Sequence, residues 1–125
     1  GQFSFDTLSY VLPVTYKPSD IDAVSVEVNT LLLRDDIALA SFPGEFFNDF
    51  GLSLKAQSPA RHTFFLGYTN GSLGYIPTLE AAEYGGYGAT EDELWVGLDT
   101  GKKQVGDAIK SLKALHKLRS SESAE

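Results

Sequence analysis

Two apolar runs separated by a short polar segment constrain the fold of this chain more than any other feature. Residues 24–33 (VSVEVNTLLL) alternate apolar and polar side chains before becoming continuously apolar, and residues 37–42 (IALASF) form the second run. The polar residues Arg34, Asp35 and Asp36 lie between them. Alternation with a period of two on one side of a short polar turn predicts a β-hairpin. A sheet is therefore expected at the centre of the fold.

Two further segments predict additional strands. Residues 2–15 mix aromatic and aliphatic side chains with polar ones in partial alternation, which indicates a half-buried strand or strand pair. Pro13 within this segment argues for an edge position, because proline has no N–H to donate to a neighbouring strand. Residues 63–68 (TFFLGY) form a short, nearly continuous apolar run, typical of a strand buried on both faces.

Three segments predict helices. Residues 45–57 have an amphipathic pattern, and residues 79–83 follow Thr78, a suitable N-cap. Residues 102–118 place apolar side chains at helical spacing, and we expect residues 120–125 to be a frayed polar tail. The order strand, strand, helix, strand, helix predicts an α/β fold, or alternatively an α+β fold, with helices packed on a small mixed sheet.

Composition excludes several functional classes. Ten Lys and Arg against 17 Asp and Glu give a net charge of -7, which repels a polyanion and argues against a nucleic-acid partner. The lack of cysteine excludes disulfides, thiolate catalysis and Cys-ligated metal sites. No apolar run approaches the roughly 20 residues of a membrane-spanning helix. The chain begins at Gly1 and has no methionine, so we expect a fragment of a larger layered domain.

Four segments in the middle of the chain carry a family resemblance. They are residues 41–47 (SFPGEFF), 58–63 (SPARHT), 70–78 (NGSLGYIPT) and 80–87 (EAAEYGGY). In order and spacing they resemble segments of the neutral/alkaline non-lysosomal ceramidases. The resemblance implies that residues 1–119 are the C-terminal segment of such a catalytic domain. It also implies a secreted or periplasmic location and hydrolysis of the N-acyl bond of ceramide to sphingoid base and fatty acid.

The resemblance implies roles for three residues. Glu45 and Tyr75 correspond to zinc ligands, and Tyr87 corresponds to a tyrosine that helps to hold the substrate carbonyl. Zinc accepts carboxylate oxygen readily, whereas tyrosine is a rarer ligand because its ordinary pKa is about 10. A bound zinc would activate water for attack on an amide, and a phenol could stabilise the developing oxyanion.

Each of these residues has a simpler interpretation. A glutamate that opens a helix is far more often stabilised by the helix dipole than bound to a metal. Tyr75 could be a packed aromatic residue with its hydroxyl bonded to backbone, and Tyr87, which follows two glycines, suits a packed loop. We interpret His62, at the start of an apolar strand, as structural, and His116, among lysines of the terminal helix, as non-catalytic.

The zinc shell implied by the resemblance contains two histidines, a glutamate and a tyrosine, and this chain offers only the last two. We therefore expect zinc in the full-length parent but none bound by this segment, and no amidase activity from the segment alone. Glu45 and Tyr75 should lie close together on one side of the fold. A ceramide-like lipid amide is the implied substrate, and a homodimer could form through surface left uncovered. The alternative function is a stand-alone, non-catalytic α/β binding module.

Overall fold

The computed structural model describes residues 3–16, 18–90 and 94–124 of the chain. In chain order, its elements are β1 (Phe3–Pro13), β2 (Ala23–Leu33), β3 (Ile37–Ser41), β4 (Glu45–Phe46), α1 (Asn48–Gln57), β5 (His62–Leu66), β6 (Tyr75–Ile76), α2 (Leu79–Tyr84) and α3 (Thr100–Ala124). Four strands form the main sheet in the order β1-β2-β3-β5, while β4 and β6 form a separate two-stranded pair. None of the described helices is long and apolar enough to cross a membrane.

The main sheet is mixed, as predicted. β1 pairs antiparallel with β2, and β2 pairs antiparallel with β3, which confirms the hairpin on either side of Arg34. β3 then pairs in parallel with β5. β1 lies at one edge of the sheet and ends at Pro13, in agreement with the edge position expected of this proline. The combination of this sheet with helices at several points of the chain is an α+β architecture.

Both longer helices cover the same face of the sheet. Val28 and Leu32 of β2 belong to one buried cluster with Leu112 of α3 and Leu54 of α1, and each of these four side chains is fully buried. Burial of one such side chain contributes roughly 1.5–3 kcal/mol. The even-numbered residues of β1, β2 and β3 form this face of the sheet. The hydrophobic core therefore lies between this face and the two helices.

Polar contacts fix α3 on the sheet. The Ser111 hydroxyl donates to Asp6 Oδ2 at 2.8 Å and lies 2.6 Å from the buried Thr30 hydroxyl, which must then be the donor to Ser111. Nearby, the Tyr10 hydroxyl donates to Asp107 Oδ2 at 2.8 Å. Burial, followed by this hydrogen bond, raises the pKa of Tyr10 above its usual value. These contacts set the rotation of α3 about its axis.

The opposite face of the sheet, which we call the open face, carries a second apolar surface. Its side chains come from all four strands and are Phe3, Phe5, Leu31, Leu33, Ile37, Leu39, Phe64 and Leu66. Phe64 is 53% exposed and Leu66 is 42% exposed. Residues 63–68 are predicted to form a strand buried on both faces. Within the part of the chain that the structure describes, the corresponding strand β5 is buried on one face only, so this prediction is wrong. Its Phe65 packs into the core, but its two neighbours point to the open face.

Two helix boundaries differ from prediction. Residues 45–46 are extended rather than helical, and α1 begins only at Asn48, because Glu45 N–H donates to the Gly74 carbonyl and Phe47 N–H donates to the Ile76 carbonyl. These bonds draw the segment into a strand pair. Glu45 therefore does not lie in the first turn of a helix.

The terminal helix α3 starts at Thr100 and continues through Ala124, beyond the predicted end at Leu118. It includes residues 120–124 of the tail expected to be frayed, and residue 125 lies outside the described residues. No glycine or proline follows Leu118, and the Ser120 hydroxyl donates to the His116 carbonyl at 3.1 Å. The short helix α2 agrees with prediction, since Thr78 Oγ1 accepts from Ala81 N–H at its start.

Candidate functional site

The candidate site lies beyond the C-terminal ends of the two parallel strands, β3 and β5. The loops that follow them, residues 42–45 and 67–74, are joined by four backbone hydrogen bonds. These run from Tyr68 N to Gly44 O (3.0 Å), Thr69 N to Phe42 O (3.0 Å), Leu73 N to Pro43 O (2.7 Å) and Glu45 N to Gly74 O (2.8 Å). We call this arrangement the loop clasp. The carboxyl ends of parallel strands commonly host sites because loops converge there.

Glycine at position 44 is required by the loop clasp. A Cβ atom added to Gly44 would lie 3.0 Å from the Gly74 carbonyl oxygen and 3.0 Å from Ile76 Cγ1. The backbone of one loop therefore approaches the other as closely as a residue without a side chain permits. The Pro-Gly pair before Glu45 thus ends the core strand and allows this approach.

The loop clasp places Glu45 beside Tyr75. The two residues are direct partners in the parallel pairing of β4 with β6, and partners on neighbouring strands lie about 5 Å apart with side chains on the same side. Glu45 is exposed and Tyr75 is partly buried. The structure thus brings the two predicted metal ligands together, while their role as ligands stays a prediction.

Tyr87 completes the group. The Tyr75 hydroxyl donates to the Tyr87 hydroxyl at 3.1 Å, and their rings meet edge to face with centroids 5.4 Å apart. The Tyr75 ring lies directly over Gly88, where an added Cβ would come within 2.9 Å of it at a φ of 78°. Tyr87 is 83% exposed, so its hydroxyl is open to a ligand. All three residues singled out in the sequence lie in one surface region.

Tyr68, which sequence reasoning missed, is the fourth member of the site. Its hydroxyl donates to Glu45 Oε2 at 2.7 Å, and its backbone has a φ of 51°. A bulky residue in this left-handed region is rare and costs on the order of 1–3 kcal/mol. The apolar run 63–68 predicts Tyr68 as the end of a strand. The one available signal is its position, a tyrosine between Gly67 and a polar turn.

Hydrogen bonds raise the pKa of two phenols in this group. The hydrogen bond to Tyr87, with smaller contributions from burial and from the nearby Glu45 charge, raises the pKa of Tyr75 to about 12. The hydrogen bond to Glu45 likewise raises the pKa of Tyr68. The site offers one carboxyl group and three phenol hydroxyls, a set of oxygen donors suited to a hard or borderline cation or to hydrogen bonding of a carbonyl.

Neither histidine belongs to this group. His62 pairs with Ile37 at the start of β5, whereas the site follows Leu66 at its other end. His116 lies in α3. Within residues 3–16, 18–90 and 94–124, no cluster of three His, Cys, Asp or Glu side chains could hold a metal ion. Glu45 and Tyr75 thus fit part of a zinc shell, and the described residues do not complete it.

Comparisons with known proteins found structural relatives alone. No protein-family profile and no curated protein matches the chain. The crystal structure of neutral ceramidase from Pseudomonas aeruginosa matches with a TM-score of 0.63 and 22% identity, over 75% of this chain and 16% of that chain. The chain has the fold of one part of neutral ceramidase.

A second solved structure, described as a ceramidase complexed with C2, gives a TM-score of 0.62 and 22% identity over 74% of this chain and 15% of that one. The chain therefore spans a small fraction of the length of the ceramidases that it matches. Their fold agrees with the resemblance seen in residues 41–87, which includes all of Glu45, Tyr75 and Tyr87.

Proposed function

We propose that this chain supplies part of the zinc site of an amide hydrolase of the neutral ceramidase type. Glu45 and Tyr75 would be metal ligands, and Tyr87 would bind the substrate carbonyl. The observation that carries the proposal is the direct pairing of Glu45 with Tyr75, next to Tyr87, at the ends of two parallel strands. The ceramidase fold of the chain supports it independently.

The metal would need donors from outside the described residues. A catalytic zinc usually has about three protein ligands and an open position, and Glu45 with Tyr75 provides two. By the family resemblance, histidines of another segment would provide the rest. When bound, zinc would lower the pKa of water and polarise the amide carbonyl.

The hydrogen bond within the tyrosine pair is compatible with these roles. In the metal-free protein the Tyr75 hydroxyl donates to the Tyr87 oxygen. Once Tyr75 had lost this proton to bind the metal, Tyr87 would remain a hydrogen-bond donor next to it and could donate to a substrate oxygen as negative charge develops there, which is the type of contact that stabilises acyl-transfer transition states. Glu45, negatively charged and exposed, would bind the cation directly. The substrate implied by the family is a ceramide-like lipid amide, cleaved at its N-acyl bond.

A non-catalytic binding module is the second candidate. It is favoured by the lack, among the residues that the structure describes, of any cluster of three His, Cys, Asp or Glu side chains that could hold a metal ion. In that case the exposed phenols would contact a partner or a small ligand without chemistry. The two functions differ in whether Glu45 and Tyr75 are needed for turnover.

The test is ceramide hydrolysis by the full gene product that contains this chain. We expect Glu45→Gln and Tyr75→Phe each to lower kcat/KM on a fluorescent ceramide by at least about 100-fold, since loss of one key site group typically has effects of this size. Glu80→Gln, on the exposed side of α2, is the matched control and should retain activity. Full activity in both site variants would refute the proposal and favour the binding module.

The isolated 125-residue chain provides a second test. We expect no amidase activity from it with added zinc, because it offers only two of the zinc ligands that the reaction would require. Robust turnover that depends on Glu45 would contradict this expectation and would require ligands that the described residues do not show.

A further inference from the structure

We infer that Tyr68 is a positioning residue that holds the Glu45 carboxylate in one orientation for metal binding. The inference rests on the proposed function and concerns the same site. It starts from the exposure of Glu45, since an exposed glutamate side chain samples several rotamers unless a neighbour fixes it. The Tyr68 hydroxyl is such a neighbour, at 2.7 Å from Oε2. A hydrogen bond to an ionised carboxylate at this distance is of the strong, charge-assisted kind.

The backbone of Tyr68 indicates that this orientation is specific. A φ of 51° is unusual for a tyrosine, and the loop clasp maintains it through the bond from Tyr68 N–H to the Gly44 carbonyl. Tyr68 remains 56% exposed, so burial of its ring does not account for this conformation. Its observed polar contact is with Glu45. Strained residues of this kind concentrate at functional sites, where the surrounding structure holds them in place.

Each predicted ligand thus has its own phenol partner. Tyr68 bonds Glu45, and Tyr87 bonds Tyr75, so that the two ligands are oriented by separate contacts. Partners of this sort orient metal ligands in many proteins, and their loss typically lowers metal affinity by 10- to 100-fold. Tyr68 would act through Glu45 and would not touch the metal or the substrate.

The first experiment uses the metal-free 125-residue chain and measures rotamer averaging of the Glu45 side chain by NMR couplings. We expect a single rotamer in the wild type and averaged couplings in Tyr68→Phe, which keeps the ring and removes the hydroxyl. Tyr84→Phe, which alters a tyrosine that is 91% exposed, is the control and should leave Glu45 unchanged. Unchanged Glu45 couplings in Tyr68→Phe would overturn the inference.

A second variant separates positioning from a purely structural role. Tyr68→Asn places a residue that tolerates positive φ in the same backbone. We expect it to melt at or above the wild-type temperature while it loosens Glu45 as much as Tyr68→Phe does. If the asparagine variant keeps Glu45 in a single rotamer, Tyr68 does not position it.

The third experiment measures zinc affinity of the full gene product by competition with a chelator. We expect Tyr68→Phe to weaken zinc binding about 10- to 100-fold. Unaltered affinity would overturn the inference. Failure of the proposed function would give a different result from failure of this inference. If Glu45 is not a zinc ligand, Glu45→Gln leaves zinc affinity unchanged, while the Glu45 couplings still respond to Tyr68→Phe.

Discussion

At the scale of single residues, Tyr75 must lose a proton before its oxygen can bind a metal strongly. With a pKa of about 12, it is almost entirely protonated near neutral pH. In the proposed function, metal binding and proton release would therefore be coupled at this residue, as they are for other ligands that bind in deprotonated form. A higher pH removes the proton that competes with the metal, so the affinity for the metal should increase with pH.

We predict that the zinc affinity of the full gene product increases with pH by about tenfold per unit between roughly pH 7 and 9. Histidine ligands would already be neutral in this range, so the dependence would come from Tyr75. Chelator competition at several pH values measures it, and the absorbance of tyrosinate should rise as zinc binds. Tyr75→Phe should flatten the profile. A steep profile that persists in this variant would show that another group loses the proton.

The residues of the site differ in how far the sequence could predict them. Glu45, Tyr75 and Tyr87 lie in segments with a family resemblance. That resemblance is sufficient to predict that the three residues belong to one site. Tyr68 carries no such signal, because its contact with Glu45 depends on a backbone conformation that tyrosine seldom adopts. A prediction from strand propensity places Tyr68 at the end of a strand and gives no reason to expect its side chain beside Glu45.

At the scale of elements, the first turn of α3 packs closely against the strand that carries the site. A Cβ atom added to Gly101 would collide with the Phe50 ring and would lie 2.9 Å from Ile76 Cγ2, next to Tyr75. Gly106, one and a half turns further along α3, has nothing within 4 Å of the same added atom. The two glycines of one helix thus form a matched pair for mutation.

We predict that Gly101→Ala lowers the free energy of unfolding by about 1–3 kcal/mol, because it overpacks the contact with Phe50. Gly106→Ala should instead raise it by about 0.5–1 kcal/mol, since alanine has the higher helix propensity and meets no obstacle. Urea denaturation of both variants measures the difference. Equal effects at the two positions would contradict the close approach of α3 to β6.

The polar connection between α3 and the sheet gives a second prediction at this scale. Ser111→Ala removes the partner of both Thr30 and Asp6, and Thr30 is 1% exposed. We expect a loss of about 1–3 kcal/mol in the free energy of unfolding, because a buried hydroxyl is left without this bond. Lys110→Ala, at an exposed position of the same helix, should change stability little. A similar loss in both variants would argue against the buried connection.

The elements that the sequence predicts well are those with local signals. The hairpin and α3 follow from period and turn chemistry within short stretches of sequence. β4 and β6 escape prediction, because two residues show no period and their pairing joins segments far apart in the chain. The predicted start of α1 at residue 45 is wrong for this reason, since bonds to the distant Gly74 and Ile76 override a local preference, whereas the rest of the helix forms as predicted.

At the scale of the whole molecule, the open face is the dominant surface feature. Phe3 and Phe5 are 59% and 68% exposed, and Phe64 lies across the sheet from them on the same face. The largest apolar patch of a typical monomer covers roughly 300–600 Å² and often marks an interaction site. The apolar run of β5 predicts a strand covered on both sides. The described part of the chain covers only one of these sides.

We predict that the isolated chain self-associates through the open face, with an affinity that increases with salt, because added ions screen the repulsion between copies of charge -7. Sedimentation velocity at several concentrations measures this. Phe5→Ser with Phe64→Ser should abolish association. Leu52→Ser, which removes a 57% exposed side chain of α1 on the other side of the sheet, is the control. Association that survives the double change would locate the contact elsewhere.

The loop clasp makes chain length a component of the site. Because strand side chains alternate between faces, removing one residue between Leu66 and Tyr75 would turn Tyr75 away from Glu45 if the register of β6 against β4 shifted by one position, and this shift breaks the bond from Glu45 N–H to the Gly74 carbonyl. The alternative is to keep this register with a shorter loop, which would disturb the other bonds of the clasp. The length of residues 67–74 therefore fixes the position of Tyr75 relative to Glu45, and an insertion or deletion there should separate these two predicted ligands even when every side chain of the site is retained.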